Sequence, residues 1–141
     1  MIVSKNFAKD YTGIDTLIRI DGYYYRENIS ESKSLSPFIL SKNSEIQAFF
    51  FIFKSHEDIK QYISSQSKPF YGNYVLMGDT IKIRWAEKYD LGSYRIFSEQ
   101  YVIVNDTTLK KIWFLCETCD NPDGRKIDST RNEIYKFFKF P

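Results

Sequence analysis

The sequence predicts an all-β fold: an antiparallel up-and-down β-barrel of eight or nine strands, with one short α-helix near 56–64. Three observations carry that expectation. Aromatic residues make up 18% of the chain, with 12 Phe and 11 Tyr, while Ala occurs only at positions 8, 48 and 86; that balance suits pleated strands better than helices. Short alternating apolar–polar stretches recur at the spacing of about 8–12 residues expected of antiparallel barrels and sandwiches, with no strand–helix–strand rhythm. Short connections favour pairing between neighbours, and a meander with this many strands removes its open edges best by closing on itself. A two-sheet sandwich is the alternative.

The elements follow in order. Residues 1–14 form an irregular lead-in, and a single barrel domain occupies 15–141. The first strand spans Thr16 to Arg26, with Gly22 marking a bulge or bend. The polar run Asn28 to Ser36 is a loop, and Phe38 to Leu40 a short strand. Ile46 to Lys54 carries apolar groups on both faces, Phe49, Phe51 and Phe53 on one and Ala48, Phe50 and Ile52 on the other, so it reads as strongly buried. Ser55 and Asp58 fit a capping box that starts the helix, with Ile59, Tyr62 and Ile63 on its apolar face. Strands then follow at Phe70–Met77, Thr80–Glu87, Tyr94–Glu99, Tyr101–Val104, Leu109–Cys116 and Glu133–Phe140, joined by turn residues such as Gly78-Asp79, Leu91-Gly92 and Asn105-Asp106. On Thr80–Glu87 the alternation is clean: Ile81, Ile83 and Trp85 face one way, Lys82, Arg84 and Ala86 the other. Two hairpins echo each other, Gly78-Asp79-Thr80 before Trp85 and Asn105-Asp106-Thr107 before Trp113, which is the same turn chemistry used twice.

Composition excludes several classes. A length of 141 residues fits one domain. Twenty Lys+Arg against 18 Asp+Glu leave a formal charge of +2, without the basic excess of a nucleic-acid binder. Basic residues do interleave with aromatics at Lys82, Arg84 and Trp85 and at Lys110, Lys111 and Trp113, but Glu87, Glu99 and Glu117 lie among them and no nucleic-acid partner is expected. No apolar run approaches the ~18 residues of a membrane span. Met1-Ile2-Val3 is too short for a secretory h-region, so the chain is cytoplasmic if Met1 is native, and periplasmic or secreted if a leader was removed.

The segment Gly22-Tyr23-Tyr24-Tyr25 resembles the Gly-x-Trp-Tyr opening of lipocalins, with Tyr in place of the hallmark Trp. The order of parts is similar to that of small bacterial lipocalin-like, calycin-type domains: an early Gly-aromatic strand, hairpins with Gly-Asp-Thr-Ile turns (Gly78 to Ile81), and a last Tyr-Lys-Phe strand at Tyr135 to Phe137. The likeness runs from about Asp15 to Phe140. It implies a β-barrel and the habit of holding small apolar ligands inside it, and it implies no particular ligand.

Few residues point to reaction chemistry. Cys116-Glu117-Thr118-Cys119 has C-x-x-C spacing, but a turn cluster follows where a redox motif has a helix, and a structural zinc needs four ligands. Free thiols, a local disulfide and a metal or redox role all remain open. His56, the single histidine, falls in the first helical turn, where the cap leaves it exposed. Asp79 and Asp106 suit turns, and Glu87, Glu99 and Glu117 lie near strand ends. No phosphate loop, nucleophile elbow or dinucleotide fingerprint occurs, so neither an enzyme nor a cofactor is expected. Aromatic strands remain the informative feature. They predict a ligand-binding lumen formed by Tyr23, Tyr25, Phe51, Ile81, Ile83, Trp85, Tyr101 and Trp113, and no catalytic or metal site. The other reading is a filled barrel whose outer aromatic face meets a protein partner; large groups on both faces of Phe49–Phe53, Ile112–Leu115 and Tyr135–Phe140 make a homodimer possible.

Overall fold

The computed structural model describes residues 12–28, 34–49, 52–65, 70–90, 93–118 and 133–140. Within them lie a 3-10 turn at Ile14–Thr16, an α-helix α1 at His56–Ser65, and eight strands: β1 Gly22–Asn28, β2 Ser34–Leu40, β3 Glu45–Ala48, β4 Phe70–Met77, β5 Thr80–Asp90, β6 Ser93–Asn105, β7 Thr108–Cys116 and β8 Glu133–Lys139. Each strand pairs antiparallel with the next, and β8 returns to β1, closing an up-and-down barrel in the order β1 to β8. The meander, its closure and the single helix agree with the sequence expectation, and the architecture is consistent with a calycin-like fold.

Local chemistry explains the elements. Gly78, at φ 62°, makes the two-residue turn between β4 and β5. Asn105 Oδ1 accepts from the Thr107 N–H at 3.0 Å, an Asx turn that starts β7. Ser55 Oγ accepts from the Asp58 N–H at 3.2 Å, the expected cap of α1. Gly22 is needed for closure: a Cβ there would lie 2.0 Å from the Phe138 carbonyl oxygen, so only glycine lets β8 come this close to β1.

Four boundaries differ from the sequence reading. The expected strand over Thr16–Arg26 begins only at Gly22. The residues before it form a plug: Ile14 and Ile18 are buried in the barrel core, and the segment crosses one end of the cylinder. Thr12 N–H donates to the Lys42 carbonyl and Arg19 N–H to the Asp106 carbonyl, tying the plug to the β2–β3 and β6–β7 turns. The strand read as Ile46 to Lys54 stops at Ala48, and Phe53 makes only an isolated bridge to Leu35. The expected loop over Asn28–Ser36 yields its last three residues to β2, since Leu35 finds this bridge and Ser36 pairs with Arg26. The stretches Tyr94–Glu99 and Tyr101–Val104 are one continuous strand, β6. Phe50, Phe51, the Leu91-Gly92 turn and the turn cluster that follows Cys119 (Asp120-Asn121-Pro122-Asp123-Gly124) lie outside the described residues.

Two cores share the wall. The lumen holds Tyr24, Phe38, Ile46, Tyr74, Ile81, Ile83, Trp85, Tyr101, Leu109 and Tyr135. A second cluster lies between the outer wall and α1: Tyr23, Leu35, Phe49, Phe53 and Ile59, with Tyr25, Tyr62 and Phe138 against it. The helix thus meets the outer apolar face that the Phe49–Phe53 stretch announces. β1 is consequently buried on both sides, Tyr24 toward the lumen and Tyr23 toward the helix.

Candidate functional site

β7 decides what faces the lumen. Tyr101 pairs with Lys111 but Gln100 with Trp113, so Ile112 is an extra residue, a β-bulge. Before it, Leu109 and Lys111 point inward; after it, Phe114 and Cys116 do. One inserted residue changes the phase of a period-two strand. Trp113 therefore lies outside the lumen and is not a lining residue, unlike its counterpart Trp85.

Residues of β1 to β3 and of β5 to β8, with Phe49 just past the end of β3, line a partly open cleft of about 270 Å³. Its walls are aromatic, formed by Phe38, Phe49, Trp85, Tyr101, Phe114 and Tyr135, with Arg26, Glu99 and Lys111 among them. The plug of Ile14 and Ile18 seals the opposite end.

The charged groups form one network. Lys111 Nζ lies 2.7 Å from Glu99 Oε1 and 3.3 Å from Glu133 Oε2, with side-chain exposures of 11% for Lys111 and 8% for Glu99. Arg26 pairs with the other oxygen of Glu133. Trp85 Nε1–H donates to Glu99 Oε2 at 2.7 Å, and the Tyr101 hydroxyl donates to Glu99 Oε1 at 3.4 Å. Lys111 also faces the rings of Tyr101, Phe114 and Tyr135 at 5.4–5.7 Å from their centroids. Burial opposes its charge, but Glu99 and Glu133 outweigh that and hold its pKa above the ordinary lysine value. Burial, reinforced by Glu99, pushes the Tyr101 phenol well up, so it stays a donor. Arg26 Nε is buried and, among the described residues, has no hydrogen-bond partner.

Of the residues expected to line a lumen, Ile81, Ile83, Trp85 and Tyr101 do face inward, Trp85 and Tyr101 in the cleft and the two isoleucines in the core. Tyr23 and Tyr25 face α1 instead, and Phe51 lies outside the described residues. Sequence reasoning passed over Glu99, Lys111, Arg26 and Glu133. The alternation Phe97-Glu99-Tyr101 does carry the signal: a carboxylate interrupting an otherwise aromatic face.

His56 corrects another expectation. It is not exposed; it stacks on Phe138 at 3.8 Å between centroids and shares a 2.5 Å hydrogen bond through Nδ1 with the hydroxyl of fully buried Tyr23. Burial lowers its pKa; Glu27 opposes that shift and Lys60 adds to it. The unfolded chain then takes up a proton near pH 6.5 that the folded chain resists, so stability is full above that pH and is lost as pH falls through the folded value. Thermal melts from pH 7.5 to 5 should show a decline in Tm that is shallower in His56→Gln; identical slopes would contradict it.

Cys116, buried at the end of β7, is disulfide-bonded, one of the readings left open for the C-x-x-C segment; Cys119 lies outside the described residues. Glu117 is held by Arg84 at 3.0 Å and by the Ser98 hydroxyl at 2.5 Å, on the outer side of the wall. Among the described residues, no group of three or more His, Cys, Asp and Glu could hold a metal ion, and no helix is long and apolar enough to cross a membrane. Compared with protein families, curated proteins and solved structures, the chain finds no match.

Proposed function

We propose that this protein is a non-catalytic binding protein for a small, largely apolar ligand held at the mouth of a lipocalin-like barrel. The observation that carries the reading is the cleft itself: six aromatic side chains around a partly open space of about 270 Å³. Binding sites characteristically combine apolar walls with a few fixed polar groups, and this cleft has that composition. Its volume lies just under the usual range of about 300–1,000 Å³, so the occupant is smaller than a typical drug. The Gly22–Tyr25 resemblance and the up-and-down closure support the same reading. Glu99 and Glu133 are tied to cations rather than poised as an acid–base pair, which favours binding over hydrolysis.

Native mass spectrometry of the purified protein, followed by denaturing extraction, tests this directly. A retained small molecule, or a panel compound that raises Tm, is expected. A ligand at a hundred times its Kd adds about 2.7 kcal/mol of stability. If nothing is retained and no compound in an apolar and aromatic panel shifts Tm, the binding reading fails.

A further inference from the structure

We infer that α1 is a proton-released wall of the cleft: a proton taken up from water by His56 frees the helix from β1, and Phe49 is loosened with it. What this does to a bound molecule rests on the binding reading above; the release itself does not. Three observations lead there. The first is the 2.5 Å hydrogen bond between His56 Nδ1 and the hydroxyl of fully buried Tyr23. Burial pushes the Tyr23 phenol up, so it keeps its proton and donates it to a neutral Nδ1. A protonated ring sets a second hydrogen between the same two atoms. One must turn away, and among the described residues the Tyr23 hydroxyl has no other acceptor to turn to, which is costly for a buried donor. The charged groups around His56 are Glu27 on β1, Lys136 on the same face of β8 as Phe138, and Glu57, Asp58 and Lys60 on α1 itself. Glu27 and the stacked ring of Phe138 favour a charged imidazole; burial, Lys60 and the N-terminal end of the helix oppose it, burial most strongly. The second observation is that the hydrogen-bonded ring runs from β1 to β8 and back without α1. The helix is held from outside through Ile59, Tyr62 and Ile63 in the outer cluster, so it can leave while the strands stay paired. The third is Phe49, which lines the cleft and also packs on Tyr62 of α1, at 5.6 Å between ring centroids. Phe53 extends the same packing, 5.4 Å from Tyr62 and 6.2 Å from Phe49. Once released, His56 titrates near its ordinary 6.5 while the docked ring resists the proton, so docking is favoured above that pH and release below it. A molecule in the cleft would be held at neutral pH and let go in acid.

Amide hydrogen exchange of the whole chain at pH 7.5 and 5.5, with rates corrected for the intrinsic effect of pH, tests the release without any ligand. Amides in the later turns of α1 should open about five- to tenfold more often at pH 5.5, while those of β5 and β6 stay unchanged. In His56→Gln the amide oxygen accepts from Tyr23 at either pH, and the acceleration should vanish. Tyr23→Phe keeps the ring and removes the hydroxyl, and should cut the acceleration by at least half. Phe49→Ala should speed exchange in α1 at least fivefold at pH 7.5, because what Phe49 does for the helix the helix does for Phe49. An acceleration below twofold in the unaltered chain, or one that persists in His56→Gln, would overturn the release. Equal acceleration of α1 and of β5 and β6 would also overturn it, since the whole barrel would then be opening. Exchange in α1 unchanged by Phe49→Ala would overturn the link to the cleft. Each of these failures leaves the binding reading standing, and an empty ligand screen leaves the release standing.

Discussion

Replacing Lys111 with methionine should destabilise the fold by about 3–5 kcal/mol, the range for breaking a buried ion pair by removing one partner. Methionine matches the length of the lysine stem, so packing changes little and the loss is mainly electrostatic. Glu99 would keep its bonds from Trp85 and Tyr101 but lose its cation 2.7 Å away, in a place where its side chain is only 8% exposed. Because the cleft is partly open and Glu133 keeps 21% of its side chain exposed, water can reach part of the network, and the lower end of the range is expected. Urea unfolding measures the loss. Lys111→Met combined with Glu99→Gln should cost less than the sum of the single changes, since the second removes the stranded charge. A single-mutant loss below ~0.5 kcal/mol would mark the pair as solvated, behaving like a surface bridge.

Trp85→Ala should cost about 3–5 kcal/mol through lost burial and the cavity left behind. Trp85 is stacked on Phe97 at 4.4 Å between ring centroids and also donates to Glu99, so both the apolar wall and the polar network lose a member. Trp113→Ala, on the other side of the β7 bulge, should cost only about 1 kcal/mol. The contrast between two tryptophans in similar hairpins is the sharper result. Equal losses would mean that Ile112 does not shift the phase of β7 and that Trp113 also points inward.

How much of this was readable from the residues follows from where alternation stays informative. On β5 one face is apolar and the other carries Lys82 and Arg84, so Ile81, Ile83 and Trp85 were assignable inward without coordinates. The cap of α1 was equally plain, because Ser55 and Asp58 act locally. On β1 three consecutive tyrosines leave no contrast: a helix on the outside buries the face that would otherwise be polar, and Tyr23 and Tyr25 were placed on the wrong side for that reason. In β7 the alternation is intact on either side of Ile112, and only pairing with β6 reveals the extra residue. Lys111 reads as an ordinary solvated strand residue until Glu99 and Glu133 are seen on the two neighbouring strands. Those contacts depend on barrel registers that no short window contains. The cleft's walls were therefore half legible and its charges were not.

The isoleucine plug has a kinetic consequence. Among the described residues, Ile14 and Ile18 fill one end of the lumen, so a ligand bound as proposed would have no path out through them. A competitor could then not push the first guest out from behind the plug.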